Sequence, residues 1–428
     1  SGSIAWSAIP PGYFQANTAL FPHTLESILC MCKTRFCARN LWITKSHTIF
    51  YLAGNSMIIH LSILFVIVFA SFFYNRRTVQ QKLLCIEEGR DYAEIKGQLL
   101  PWLLVFGYIA VLAGLRTSMN DTSVYVSSFQ DTPGTWEAII NTLQTDGKDK
   151  GFAISMNLFK RYISDDYHAW FLLFAILESL AFIYILRREC VDFTSACYYF
   201  FASTLYYNYF SMMRQWFAVV ILFAGSLLIK AKKPILYILL CVLMAQFHTS
   251  AYLMIPVYFM VKGRAWSLMQ VLILLGFCIA VVFLNPLLQS LGDALEGTTY
   301  DYVVDAMQTS SGSSAIRIII AAVPVVIAWL DRKHIHGRMI EICINMSLLN
   351  LLLNILATLT SGLYVIRLST YTMMYNIILF PYLLHFSFAG KNRVLIKALF
   401  YGLYLLYFFY QMSHQGAFGY RSDILGNF

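Results

Sequence analysis

Charge is what this chain has least of. Only 12% of its 428 residues are Asp, Glu, Lys or Arg, about half the roughly 25% of a soluble domain. With 59% hydrophobic residues, a chain of this length cannot cover its surface with polar groups in water. That excludes a soluble globular protein and makes the bilayer the solvent. Alternation of apolar and polar residues is also missing, and the apolar runs are continuous. Lipid admits only helices or closed barrels, because every backbone group must be satisfied internally; continuous runs select helices. Internal repeats, linkers and low-complexity segments are absent, which reads as one domain. There is no phosphate-cradling glycine loop, no zinc-spaced histidine set and no nucleophile elbow. The polar stretches hold no Asp-x-Asp metal pair. Cysteines number nine; Cys197, Cys241, Cys278 and Cys343 lie inside apolar runs and read as small hydrophobes. Cys30, Cys32 and Cys37 form a tighter group whose spacing fits no strong zinc pattern. The net charge of +9 is modest and does not call for nucleic acid.

What is present is a series of apolar segments. They read as spans over 50–74, 99–115, 168–186, 190–209, 213–229, 234–247, 250–261, 265–285, 314–330, 339–361, 366–388 and 393–412. The expected fold is therefore all-α, a polytopic membrane protein of about 11–12 transmembrane helices. Polar stretches over 117–167 and 286–313 interrupt the series, and 413–428 reads as a tail. Residues 1–49 stand outside the single domain, 50–412. They show no clear signal peptide and are compatible either with an interfacial segment or with a stretch foreign to the functional core.

Orientation follows from where the cations cluster. The clusters are Arg76-Arg77, Arg187-Arg188, Lys230 to Lys233, Lys262 to Arg264, Asp331 to Arg338, and Lys391 to Arg393. All fall on one side, the cytoplasmic one, if the segment 234–261 goes out and comes back. Its arms are thin for full crossings, so a broken hairpin is expected, with His248 at its outer tip.

That orientation leaves polar residues at the outer ends of spans that it does not explain. Arg116 closes one span and is followed by Asn120, Asp121 and Tyr125. Arg214 and Gln215 open another. Arg317 and Arg367 open two more, with Tyr371 one turn beyond Arg367. A single arginine near a helix end can snorkel to lipid phosphates; several on the wrong side together point to an anion site, since guanidinium binds phosphate in a fork and stays charged. His248 reads either as a structural histidine at the break or as a proton acceptor. Asp121 reads as a cap, a solvated carboxylate or the base itself. Tyr206, Tyr207 and Tyr209, with Asn208, fit an interfacial aromatic belt or a platform for sugar rings. Asp165-Asp166 reads as solvated loop.

In this order the residues resemble the EpsG family of bacterial exopolysaccharide polymerases, which is similar to the Wzy O-antigen polymerases. The stretches that carry the likeness run from Ala113 to Tyr125 (AGLRTSMNDTSVY), Met213 to Ala218 (MRQWFA) and Gln246 to Ala251 (QFHTSA). Arg367 fits a late arginine ahead of an apolar span, and Gly151-Phe152 sits where a glycine often opens the stretch before the next span. The resemblance covers about 99–390 and implies a GT-C-like fold. It implies a polymerase joining oligosaccharide repeats carried on undecaprenyl diphosphate, at the outer face of the cytoplasmic membrane. It implies membrane lipid, and a chain-length regulator protein, as partners, and neither metal nor other cofactor. Arg116, Arg214, Gln215, Arg317 and Arg367, with Tyr125 and Tyr371, would then hold diphosphate and sugar. His248 or Asp121 would take the acceptor's proton in an inverting displacement. The competing classes are a flippase for lipid-linked oligosaccharide, which would show repeats and midplane charges, a membrane glycan acyltransferase, and a non-catalytic scaffold.

Overall fold

The computed structural model describes residues 57–145, 147–284, 313–360, 362–387, 390–414 and 419–427. The N-terminal segment 1–49 and the stretch 286–312 of the second polar loop lie outside the described residues. The helices are α1 (Met57–Phe72), α2 (Arg76–Glu87), α3 (Leu99–Gly114), α4 (Thr122–Asp131), α5 (Trp136–Gln144), α6 (Lys150–Tyr162), α7 (Tyr167–Glu189), α8 (Phe193–Ala202), α9 (Met213–Ala224), α10 (Ser226–Lys230), α11 (Pro234–Ala245), α12 (Met254–Val261) and α13 (Leu268–Val282). They continue as α14 (Ile316–Leu330), α15 (Arg338–Leu359), α16 (Gly362–Met373), α17 (Asn376–Phe386) and α18 (Gly390–His414). A two-residue antiparallel ladder, β1 (Arg421–Ser422) with β2 (Gly426–Asn427), ends the chain.

The bundle is apolar outside and partly polar inside, as lipid demands. Phe65, Phe72, Leu239, Val282 and Leu406 are exposed, and such a surface would aggregate in water. Asn345, Asn350, Asn354, Asn376 and Gln411 are buried. Among the described residues, four helices are long and apolar enough to cross a membrane: α7, the continuous Met213–Lys230, α15 and Arg393–Ser413 of α18. The pair α1 and α2, bent by 78°, makes a fifth if it is one span. Six further apolar helices are shorter; at about 1.5 Å per residue each falls short of the ~30 Å hydrocarbon core. The chain is thus a multi-pass membrane protein in which several expected spans are broken. The run 190–209 becomes α8 and a 3-10 turn, Leu205–Tyr209. The run 366–388 becomes α16 and α17, with the break at Met374-Tyr375. Non-helical backbone inside a bundle is tolerated where it lines a cavity or is buried in protein: the first break lines a cavity through Ser203 and Thr204, and at the second Met374 and Tyr375 are buried while the flanking Met373 and Asn376 reach the same cavity.

The helix ends sort by charge. At one end Arg187 donates to the Gly97 carbonyl at 2.8 and 3.0 Å, and Lys230 pairs with Glu189 at 3.0 Å. Lys82 donates to the carbonyls of Arg187 and Cys190. Arg338 bonds the carbonyls of Lys230 and Lys262, each at 2.9 Å, so 234–261 leaves this end and returns to it. The return is the expected hairpin: α11 stops at Ala245, His248 is extended (φ −153°, ψ 118°), and a 3-10 turn, Thr249–Leu253, starts the way back.

The C-terminal tail is not an appendage. Tyr420 is 1% exposed and its hydroxyl donates to the Leu112 carbonyl at 2.9 Å. The N–H of Arg421 donates to Ser118 O at 3.0 Å, and Arg421 O accepts from the Thr117 N–H at 2.7 Å. The Ser422 hydroxyl caps the end of α3 at Leu115 O. The tail therefore clamps the turn 115–121. Replacing Tyr420 with alanine is expected to cost about 3 kcal/mol, the usual price of emptying an aromatic seat, and phenylalanine about 1 kcal/mol for the lost bond. A thermal-shift series in detergent reads both; equal melting of the three proteins would contradict the clamp.

Candidate functional site

At the end opposite the basic clusters a cavity of about 620 Å³ opens between the turn that precedes α4, the 3-10 turn 205–209, α14, α15, α16 and α18. Asp121, Arg317 and Arg367 line it together. So do Asn120, Asn208, Asn350, Asn354, Asn376 and Gln411. Asn350 and Asn354 share a face because they are four residues apart on α15. Asp121 begins α4 but its side chain does not cap that helix, which leaves its carboxylate for the cavity. Tyr207 holds the neighbouring Asn120 through a hydroxyl bond of 2.7 Å to Oδ1.

Beside the cavity sits a second cluster built on Asp149. Its Oδ2 accepts from Arg214 Nη1 at 2.8 Å. Its Oδ1 accepts from the N–H of Thr249 at 3.0 Å and from the Thr249 hydroxyl at 3.2 Å. One carboxylate thus ties the start of α9 to the tip of the hairpin. Close approach makes this possible: the Phe152 N–H donates to Gln246 O at 3.2 Å, and a Cβ on Gly151 would lie 2.7 Å from Gln246 Cβ and 3.0 Å from its carbonyl oxygen. Only glycine fits there. At the tip, His248 Nδ1 accepts from the Ser250 N–H at 3.4 Å and meets its hydroxyl at 2.6 Å. The Ser250 hydroxyl is 3.0 Å from that of Tyr371. Tyr371 stands one turn beyond Arg367 on α16, so the two clusters share that helix.

Backbone strain gathers here. Asn120 (φ 47°), Asp149 (φ 57°), Thr204 (φ 63°) and Met212 (φ 48°) all sit in the left-handed region, which costs a non-glycine residue roughly 1 kcal/mol or more. Each directs the chain at a residue of the site: Asp121, Asp149 itself, the 3-10 turn, and Arg214.

The residues expected from sequence fall into three groups. Asp121, Arg317 and Arg367 line the cavity. Arg214, His248 and Tyr371 belong to the adjoining cluster. Arg116 and Gln215 are buried behind the wall rather than in the cavity lining, and Tyr125, buried as well, reaches Arg214 of the adjoining cluster. Arg116 is 1% exposed; it donates to Thr122 Oγ1 at 3.1 Å and to Ala113 O, and its guanidinium stacks 4.3 Å from the Phe171 ring. It fastens the turn that presents Asp121. Gln215 is buried and donates to the Arg367 carbonyl at 2.8 Å, fixing α16 from behind. Tyr125 is buried edge-on against Phe152, 6.1 Å between centroids. The aromatic cluster also divides. Tyr206 and Tyr209 are core, bonded to His60 and Ser179, while Tyr207 and Asn208 reach the cavity. Asp149 went unnoticed in the sequence, hidden among the charged residues of 146–150.

His248 lies in the break between the two arms. Burial lowers its pKa below the ordinary 6.5; Asp149 opposes the shift, and Arg214 and Arg367 reinforce it. Geometry sets the tautomer: an Nδ1 that accepts from the Ser250 N–H leaves the proton of a neutral ring on Nε2. An NMR titration of His248, assigned by its absence in His248→Asn, is expected to show a midpoint below 6.5. Since Asp149 favours the charged ring, Asp149→Asn should lower that midpoint further. A midpoint above 6.5, or an upward shift in Asp149→Asn, would contradict the arrangement.

Fold and site together define a multi-pass membrane protein with a cationic, amide-lined cavity at one end of its bundle. The model of the EpsG family matches residues 99–422, and the chain belongs to that family. Membership supports a function of the polysaccharide-polymerase type. Comparison with curated proteins and with solved structures gives no match.

Proposed function

We propose that the protein joins oligosaccharide repeat units carried on undecaprenyl diphosphate, with the cavity end facing the outside of the bacterial cytoplasmic membrane. The observation that carries this reading is the convergence of Arg317 and Arg367 on one cavity that also holds an uncapped carboxylate and a wall of amides. Two permanent cations suit a diphosphate. Amides and a tyrosine hydroxyl suit sugar hydroxyls. The basic clusters at the other end fit the cytoplasmic side.

In this mechanism the acceptor hydroxyl attacks the anomeric carbon of the donor sugar from the face opposite the diphosphate. The new C–O bond forms as the bond to the phosphate oxygen breaks, and its electron pair leaves with the diphosphate. Arg367 and Arg317 stabilise the charge that develops on the departing oxygen, where electrostatic catalysis contributes most. Asp121 takes the acceptor proton, because it lines the cavity whereas His248 is engaged with Ser250. Inversion follows from a single displacement through an oxocarbenium-like state. Arg214, held by Asp149, and His248 shape the adjoining wall.

The test is purified protein in proteoliposomes supplied with lipid-linked repeats. A ladder of multimers supports the polymerase. Translocated but unjoined repeats would mean a flippase, and acylated repeats an acyltransferase.

A further inference from the structure

The basic end of the bundle holds another polar cavity, of about 660 Å³, which the proposed reaction does not use. Its walls come from the last turns of α1, the first turns of α2, the start of α8, the end of α17 and the start of α18. Arg76, Arg393 and Lys397 line it, with His385 and Asp192. Asp192 is already engaged. It caps α8 by accepting from the Thr194 N–H at 3.3 Å, it accepts from the Ser195 hydroxyl at 2.5 Å, and it lies 3.6 Å from the His385 ring. Lys397 is placed by a 3.2 Å contact with His385 Nε2. The lining thus brings three cationic side chains and one carboxylate to the same cavity. Its rim is apolar: Val68 and Phe72 line it, Phe72 is 82% exposed, and Val394 and Leu395, beside Arg393, are exposed too.

Cationic side chains and exposed hydrocarbon on one cavity describe a ligand with a phosphate at one end and an apolar tail at the other. The cavity lies at the same end of the bundle as Arg187, Lys230 and Arg338: its Tyr74 packs on Gly97, whose carbonyl Arg187 holds. We propose that this cavity binds the phosphodiester headgroup of an anionic membrane phospholipid, its acyl chains lying along α1 and α18. Arg393 and Lys397 take the phosphate, guanidinium in a fork and ammonium as a point charge, and Arg76 closes the site from the start of α2. Held there, the lipid would brace α18, whose far end carries Gln411 into the candidate site.

The test is native mass spectrometry of the full chain, delipidated in detergent and offered equal phosphatidylglycerol and phosphatidylcholine with matched acyl chains. The protein is expected to retain phosphatidylglycerol at least about five-fold over phosphatidylcholine, as basic clusters favour anionic lipid. Arg393→Gln/Lys397→Gln should abolish the preference. Arg77→Gln, at the same end but outside the cavity, should keep it. If the double variant fails to fold, Arg76→Gln, on an exposed side chain, should still reduce the preference at least two-fold. Equal retention of the two lipids, or variants that select like the parent, would overturn the proposal. Displacement of the lipid by millimolar inorganic phosphate would overturn it as well, since the site would then take a free anion.

Discussion

Polymer formation is expected to fall by about 100-fold or more when Arg367 is replaced by alanine, the scale on which removing one preorganised donor acts. The side chain is half-buried and lines the cavity, where its charge would meet the leaving group. The backbone at this position is held independently: Gln215 donates to the Arg367 carbonyl whatever side chain stands there. Melting should therefore change little while the ladder of multimers disappears. Lysine should restore only part of the rate, because an ammonium keeps the charge without the fork. A wild-type ladder from the Arg367→Ala protein would remove the leaving-group role.

Asp149→Asn is expected to reduce elongation by about 100-fold as well, through position rather than contact, since displacing a binding group by about 1 Å costs that much. Asp149 orients Arg214 and clamps Thr249 at the hairpin tip with the same carboxylate. The amide keeps one acceptor for Thr249 but loses the charge that holds the guanidinium. Stability should drop by only about 1 kcal/mol, because the Arg214 side chain is 43% exposed and water screens the pair. Asp149→Glu, which keeps the charge with a longer reach, should recover part of the rate. Elongation at the parent rate in Asp149→Asn, with an unchanged His248 titration, would show that the clamp is dispensable.

These expectations rest on features that the sequence revealed unevenly. The hairpin at His248 was legible because a short polar run, His248-Thr249-Ser250, interrupts two apolar arms and the basic clusters require a return. The breaks at 203–204 and 374–375 were not, because hydropathy runs on through Tyr375 and only tertiary packing stops the helix. Arginines at the outer ends of spans pointed to the end of the bundle where the cavity opens, but not to which of them face it. Arg367 lines the cavity and Arg116 is sealed behind it, yet both are single arginines beside apolar runs. The difference lies in what packs on them, Phe171 in one case and open space in the other. Of the amide wall, Asn120 and Asn208 stand out beside Asp121 and the tyrosine cluster, whereas Asn350, Asn354, Asn376 and Gln411 lie inside apolar runs that read as plain spans. Asn350 and Asn354, four apart within an apolar span, were the available signal, since an uncharged amide facing a bundle interior also needs a partner. Asp149 was lost among neighbouring charges, although Gly151, two residues on, marked the close approach that gives it its place.

In the proposed reaction the cavity bounded by Asp121, Arg317 and Arg367 holds the diphosphate sugar. The most direct measurement is photocrosslinking with a lipid-linked repeat that carries a photoactivatable group on the sugar next to the diphosphate, followed by mapping of the adduct. Adducts on the α15 segment around Asn350 and Asn354 and on the stretch 366–376, lost in Arg367→Ala, are the predicted result. Adducts confined to the basic end, or spread over the lipid face and indifferent to Arg367, would contradict it.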